Sequence, residues 1–366
     1  MTVIITFLVV LSALVFVHEF GHFVVARAAG MKVEEFGFGF PPRLFCVVRH
    51  GTTYSINWIP LGGFVKIKGE SGEGAFETDS FINKKPWQRF LVLIAGVAMN
   101  FAFAWFLFFV GFMVGMPGAV SEDLSSSARV RNESITIVEV LPDSPAARAG
   151  IKAGDEIVSI DCRVFGKDTQ AKDYFAQNGS KGVSLIVLEE SGEYKTSSLV
   201  SEQLNGLGGE GVGIGFISTG VVSYPFFHAV FRSAIATFET TVQIVVSFCS
   251  YIWSIVANSD VAIDLSGPIG IAVMTGQVAA MGYIYLLQFT AILSLNLAII
   301  NMFPFPALDG GRMLFLLIEK LRGRSLGARF EAAAHNLGFI LLMCLVAVVT
   351  FKDLANFSGE IFKAIT

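Results

Sequence analysis

The chain has 366 residues, with 26 Lys and Arg against 30 Asp and Glu, a formal net charge of −4, and a composition that is 53% hydrophobic. Only 15% of it is charged, where an average soluble protein carries about 25%, and the mean hydropathy is +0.64. So little charge among so much apolar side chain excludes a disordered chain, and the acidic balance excludes a protein that tracks nucleic-acid phosphates. A soluble globule cannot hide that much apolar surface, 35 Phe included, so the composition is that of a membrane protein.

A membrane-crossing helix needs about 20 apolar residues. The first such run is Thr2–Val17, continuing through His18, Glu19 and His22 to Val25. Ala26-Arg27-Ala28 has the small residues of a signal-peptide cleavage site, but no positive segment precedes the run, so it reads as a retained helix. Val33–Lys68 follows, with Gly- and Pro-containing runs on either side of a turn at His50-Gly51. It is too apolar for a solvated loop and reads as a hairpin dipping into the membrane interface. Phe90–Met116 is uncharged and forms a second span.

Composition then changes over Ser121–Val222. Ser134–Val140 alternates as a strand does, Leu141–Pro145 is a turn, and Ala146–Gly150 is a single helical turn. Glu156–Ile160, Val183–Glu189 and Tyr194–Val200 read as further strands and Asp168–Gln177 as a helix, giving a small β-rich domain. Thr240–Ser259 is a weaker apolar candidate with polar scatter, read as an amphipathic segment lying on the membrane. Leu265–Leu308 is uncharged, most apolar at Tyr283–Phe303, and Ala332–Phe351 is broken only by His335 and Asn336.

The predicted organisation is therefore a polytopic α-helical membrane protein with four transmembrane helices. Helix one lies at 1–30, a cytoplasmic or re-entrant β-hairpin region at 31–86, and helix two at 88–116. The β-rich domain follows at 121–222 and an amphipathic membrane-associated region at 223–280. Helix three is at 281–311, a cytoplasmic loop at 312–331, and helix four at 332–351. Lys and Arg cluster between helices one and two and between three and four, which makes both loops cytoplasmic and both termini extracytoplasmic. The cysteines (Cys46, Cys162, Cys249, Cys344) are scattered, encoding neither a disulfide framework nor a Cys-based zinc knuckle.

The chemistry begins at His18-Glu19-Phe20-Gly21-His22. Residues four apart share a helix face, so both imidazoles can bind one Zn²⁺ while Glu19 reaches the water that the metal acidifies. Ionisable groups cost about 2.5–3.5 kcal/mol or more inside a bilayer, so three of them in an apolar helix need a function. Catalytic zinc takes a third protein ligand, and His50, His335, Glu34, Glu35, Glu319 and Asp309 are candidates. Asp309 stands out, because it ends a long uncharged run in Asn301-Met-Phe-Pro-Phe-Pro-Ala-Leu-Asp-Gly-Gly311, where Pro and Gly break the helix. Helix capping would explain that carboxylate but not Asn296 and Asn301 upstream.

HExxH in the first helix with N-x-x-P-x-P-x-L-D-G in a later one resembles the site-2 protease family of intramembrane zinc metalloproteases, in its bacterial sigma-E-regulating branch. Phe16–Gly21, Gly62–Lys66, Gly267–Gly270 and Asn301–Gly311 carry the resemblance over nearly the whole chain. It implies His18, His22 and Asp309 as zinc ligands and Glu19 as the catalytic carboxylate. It also implies that Asn301, and Asn296 with it, stabilises the reacting peptide or the oxyanion. Residues 139–151 with Gly154–Ile157 resemble a PDZ domain, and the domain has room for one copy.

The family's setting would be a bacterial inner membrane, with the PDZ-like domain extracytoplasmic and the active site toward the cytoplasm. Its substrates would be transmembrane proteins such as anti-sigma factors and remnant signal peptides, with lipid and no nucleic acid as the other partners. The hairpin at Val33–Lys68 could hold an unwound substrate by strand addition, and the PDZ-like domain could exclude substrates with bulky outer domains. The rival from another class is a non-catalytic membrane adaptor that binds partners through the PDZ-like domain.

Overall fold

The computed structural model describes residues 2–70, 77–120, 127–189, 192–203, 210–257, 267–324 and 328–356. The first residues of the expected β-rich domain, parts of the expected 31–86, 223–280 and 312–331 segments, and Asn258 and Ser259 of the amphipathic candidate lie outside the described residues. The chain divides into two compact units, residues 1–110 with 231–366, and residues 111–230.

The first unit is built on helix α1 (Thr2–Ala28), which carries the HExxH, and on α2 (Pro86–Val114). Between them β1 (Val33–Arg49) and β2 (Thr52–Ile67) form an antiparallel hairpin. His50 and Gly51 both have positive φ, at 50° and 78°. That is the backbone of a tight two-residue turn whose twist matches the strands. Gly62 is where β2 meets α1: its φ is 113°, and an added Cβ would lie 2.7 Å from Val15. Beyond this contact the hairpin exposes Leu44, Phe45, Val48, Trp58 and Ile59.

The remaining helices of this unit are α5 (Phe226–Val256), α6 (Pro268–Met281), α7 (Tyr283–Met302), α8 (Asp309–Arg322) and α9 (Ala328–Asn356). The structure differs from the sequence reading at the third span. Helix α7 stops at Met302 rather than running to 311, because Pro304 and Pro306 lack the N–H that a continuing helix requires. Asp309 opens a separate helix through what was read as loop. Its Arg312, Glu319, Lys320 and Arg322 lie between an exposed Leu314, Leu317 and Leu321 and a buried Leu316, an amphipathic pattern.

Among the described residues five helices are long and apolar enough to cross a membrane: Thr2–Ala28, Pro86–Val114, Phe226–Ile255, Tyr283–Met302 and Phe330–Ala355. The third of these includes residues 240–255 of the segment read from sequence as lying flat. Helix α6 is too short to join them. The amides of Gly267 and Gly270 donate to the buried carboxylate of Asp353 near the end of α9, at 3.2 and 2.7 Å. Gly276, further along α6, faces Val3 at the start of α1.

The second unit is one antiparallel six-stranded sheet, in the order β3-β10-β4-β5-β6-β7. Its strands are β3 (Met116–Ala119), β4 (Arg129–Val140), β5 (Glu156–Ile160), β6 (Val183–Leu188), β7 (Tyr194–Leu199) and β10 (Ile214–Ser223). A two-residue pair, β8 (Glu202–Gln203) and β9 (Glu210–Gly211), stands apart. Helices α3 (Pro145–Arg148) and α4 (Asp168–Asn178) complete it. Alternate residues of β4 and β6 point inward, and an irregularity in β5 lets both Ile157 and Ile160 do so. With Phe216, the residues Ile135, Ile137, Ile157, Ile160, Leu185 and Val187 form its core. Leu185 is fully buried. Leu185→Ala is expected to destabilise this unit by about 2–5 kcal/mol, read as faster hydrogen exchange of the β6 amides in the full chain. A loss below about 1 kcal/mol would contradict that core.

Candidate active site

Helical spacing places the two histidines of α1 on one face. His18 and His22 are 6% and 8% exposed, and their Nε2 atoms lie 3.2 Å apart. Asp309 Oδ2 lies 3.1 Å from His18 Nε2 and 3.3 Å from His22 Nε2. The structure thus brings the two halves of the sequence pattern together across 291 positions. Among the described residues this is the one group of His, Cys, Asp and Glu with metal-site geometry. His50, Glu34, Glu35, Glu319 and His335 are not in it.

Three donor atoms at these distances fit a metal on their geometry alone. Ligands about 2.0–2.1 Å from a tetrahedral zinc stand roughly 3.3 Å from one another, and the observed edges are 3.1–3.3 Å. The proton inventory agrees. His22 Nδ1 donates to the carbonyl of Val92 at 2.8 Å, so in the neutral ring Nε2 holds only a lone pair. That lone pair faces a carboxylate oxygen and a second imidazole nitrogen. A cation placed among them gives each lone pair a partner.

Helix α2 makes room for this cluster. A Cβ on Gly96 would fall 2.3 Å from His22 Nε2 and 2.8 Å from His18 Cε1. Only a residue without a side chain leaves that space open. Gly21 does the same for the helix crossing, where a Cβ would meet the Ala95 carbonyl at 2.4 Å. One turn beyond Gly96, Asn100 is fully buried, with its amide nitrogen 3.2 Å from His18 Nδ1.

Asp309 is delivered by the non-helical stretch Phe303–Leu308. Ala307 sits at φ 87°, a conformation that costs a non-glycine residue about 1–3 kcal/mol and persists only when neighbours impose it. Helix α9 supplies such neighbours: Ala307 N–H donates to His335 Nδ1 at 3.2 Å, and a Cβ on Gly338 would meet the Pro306 carbonyl at 2.2 Å. The ion pairs Arg89–Glu319, at 3.1 Å, and Arg312–Glu70 tie α8 to α2 and to the end of the hairpin.

The other expected residues divide. Glu19 is next to His18, and its Oε2 accepts from the Val65 N–H of β2 at 3.0 Å, which anchors the carboxylate against the hairpin. Asn301 reaches the cluster, with Nδ2 3.4 Å from His18 Nε2. Asn296 is not brought into it: its amide donates to Ile292 of its own helix at 3.1 Å. Sequence reasoning missed Gly96 and Asn100, and it named His335 as a candidate ligand where the structure has it accept from Ala307 N–H. Gly96 and Asn100 share an i,i+4 face of α2, a signal that acquires meaning only once α2 is known to cross α1 there. Gly96→Ala is expected to leave less than about a tenth of the wild-type metal, because the methyl group lands on His22 Nε2. Metal analysis of purified protein checks this, and one zinc per chain in the variant would contradict it.

The profile of Peptidase family M50 matches residues 6–345. A Clostridium perfringens relative is 35% identical over 349 residues, covering 95% of this chain and 97% of that protein. Regulator of sigma-E protease RseP of Escherichia coli is 29% identical over 442 residues, with 96% and 98% covered. Zinc metalloprotease RasP of Geobacillus kaustophilus is 29% identical over 435 residues, with 97% and 98% covered. Among solved structures, the PDZ domain of an SdrC-like protein from Listeria monocytogenes is similar over 24% of this chain and 92% of its own, at 22% identity and a TM-score of 0.21. With the match running over nearly its whole length, the chain belongs to peptidase family M50 and is a membrane zinc metalloprotease of the site-2 type.

Proposed function

We propose that the protein hydrolyses peptide bonds within or beside the transmembrane segments of membrane-anchored substrates. In this reading His18, His22 and Asp309 hold one zinc ion, Glu19 is the catalytic carboxylate, and Asn301 donates to the reacting carbonyl. The observation that carries the reading is the triangle of three donors with Glu19 beside it, since three protein ligands and a positioned carboxylate are the mark of a catalytic zinc rather than a structural one. When bound, zinc lowers the pKa of a water toward about 7 and polarises the scissile carbonyl. Glu19, held by the Val65 amide, takes the proton from the attacking water and passes it to the leaving amine. The Asn301 amide offers an N–H to the oxygen on which negative charge develops.

A helical substrate hides its carbonyls in its own hydrogen bonds, so it must unwind before cleavage. The β1–β2 hairpin, packed on α1 and apolar where it is exposed, offers a strand edge on which the unwound segment could be held. The substrate class we favour is anti-sigma factors and remnant signal peptides, in keeping with the name of the Escherichia coli relative. The β-rich unit is read as the PDZ-like domain of the bacterial branch.

For the ligands to meet on one side of a bilayer, the chain must cross once between the end of α2 and Asp309. Helix α7 makes that crossing. Helix α6 is capped by Asp353 of α9 and packs beside Val3, about 15 residues and hence roughly 22 Å along α1 from His18. That placement favours an α5 that begins and ends on the same side, and so a four-span arrangement with Asp309 cytoplasmic. Thiol labelling of single-cysteine variants tests it: Gly51 and Arg322 are expected to label from the cytoplasm and Lys181 from outside. Labelling of Arg322 from outside would overturn the arrangement.

Glu19→Gln is expected to keep one zinc per chain and lose about 10²–10⁴ in turnover on a purified transmembrane substrate. Asp309→Ala is expected to lose both metal and activity. Full zinc and turnover in Asp309→Ala would place the third ligand elsewhere, and normal turnover in Glu19→Gln would remove Glu19 from the chemistry.

A further inference from the structure

We infer that Asn100 of α2 positions His18 for the metal, its side-chain oxygen accepting the hydrogen bond from His18 Nδ1–H. The inference rests on the reading of His18 as a zinc ligand. Asn100 has no exposed surface. Its amide nitrogen is 3.2 Å from His18 Nδ1, and its Oδ1 is buried with no hydrogen-bond partner. Its backbone is pinned as well, the carbonyl accepting from Ser294 Oγ of α7 at 2.9 Å. A buried, partnerless amide oxygen costs about 1–3 kcal/mol. An asparagine held there against that cost needs a reason.

The reason lies in where His18 carries its proton. A neutral imidazole has one N–H and one lone pair. With the proton on Nε2, that nitrogen donates to Asp309 Oδ2 at 3.1 Å, and Nδ1 accepts from the Asn100 amide nitrogen. With the Nε2 lone pair given to a metal, the proton must sit on Nδ1. An amide NH₂ facing it would then set donor against donor. The two ends of the amide have nearly the same shape, and a half turn about Cβ–Cγ exchanges them. The turn brings Oδ1 to His18 as the acceptor for Nδ1–H, and the NH₂ takes the buried place that Oδ1 held.

His22 shows the same logic with a fixed acceptor. Its Nδ1 faces the Val92 carbonyl at 2.8 Å, which can only accept, so its Nε2 is committed to the metal. Val92, Gly96 and Asn100 are successive i,i+4 positions on one face of α2. That face therefore does three things: it orients one imidazole through backbone, leaves space for the cluster, and orients the other imidazole through a side chain. Metal-ligating histidines ordinarily have such a partner on the second nitrogen, and its removal costs about 10–100-fold in metal affinity.

The test uses the full chain purified in detergent, with the zinc dissociation constant measured by competition with a chromogenic chelator, so that no turnover is needed. Asn100→Leu is expected to weaken zinc binding 10–100-fold with the melting temperature of the metal-free protein unchanged. Asn100→Asp, which can only accept, is expected to bind within about threefold of wild type or more tightly. Wild-type affinity in Asn100→Leu, or a loss in Asn100→Asp as large as in Asn100→Leu, would overturn the inference. If neither variant folds, ¹⁵N shifts of His18 in the wild-type zinc form decide: protonated Nδ1 supports it and unprotonated Nδ1 refutes it. A His18→Ala control that binds zinc as wild type would show that the ligand reading, and not the role of Asn100, has failed.

Discussion

Two imidazole nitrogens and a carboxylate oxygen pointed at one another inside a membrane helix bundle need a cation or a shared proton between them. The rest of the first unit is arranged so that they can be so pointed. The spacing within α1 aligns the two histidines, and the glycine face of α2 lets them stand against a neighbouring helix. The Pro-rich break after α7 turns the chain so that the first residue of α8 reaches back to α1. Without the cation, that geometry would concentrate buried lone pairs to no purpose.

The carboxylate is the member hardest to place, since the segment that leads to it is neither helix nor strand. Pro304 and Pro306 end α7, and the chain then passes through Ala307 in a left-handed conformation. Gly310 and Gly311 follow, where any Cβ would strike the carbonyls of Phe303 and Phe305. Such a segment holds its shape only by being gripped. Helix α9 grips it through His335 and Gly338, while the ion pairs of Arg89 and Arg312 fix the helix that follows. In this way the last helix, which carries no ligand, bears on where the third ligand sits.

What the sequence disclosed follows from how local each signal is. HExxH is legible because the approach of its two histidines depends on one turn of one helix. Asn301 and Asp309 are legible because a polar, helix-breaking motif at the end of a long uncharged run has few other uses. Ser134–Val140 is legible from alternation, since Ile135 and Ile137 are buried on one face of that sheet. Gly96 and Asn100 were not, because glycine and asparagine in a membrane helix carry no meaning until a crossing partner is known. Helix α8 was not, because its charged residues read as a loop when its apolar face is ignored. Asn296 matches the type and the neighbourhood, but its amide donates to Ile292 of its own helix.

Whether His18, His22 and Asp309 share one zinc ion is open to direct measurement. The most direct measurement is zinc K-edge X-ray absorption on the purified wild-type protein, read with metal stoichiometry. One zinc per chain is expected, bound by two imidazoles at about 2.0–2.1 Å and by oxygen, with no sulfur. All four cysteines are free and exposed. A sulfur shell near 2.3 Å, or a shell requiring more than two imidazoles, would contradict it.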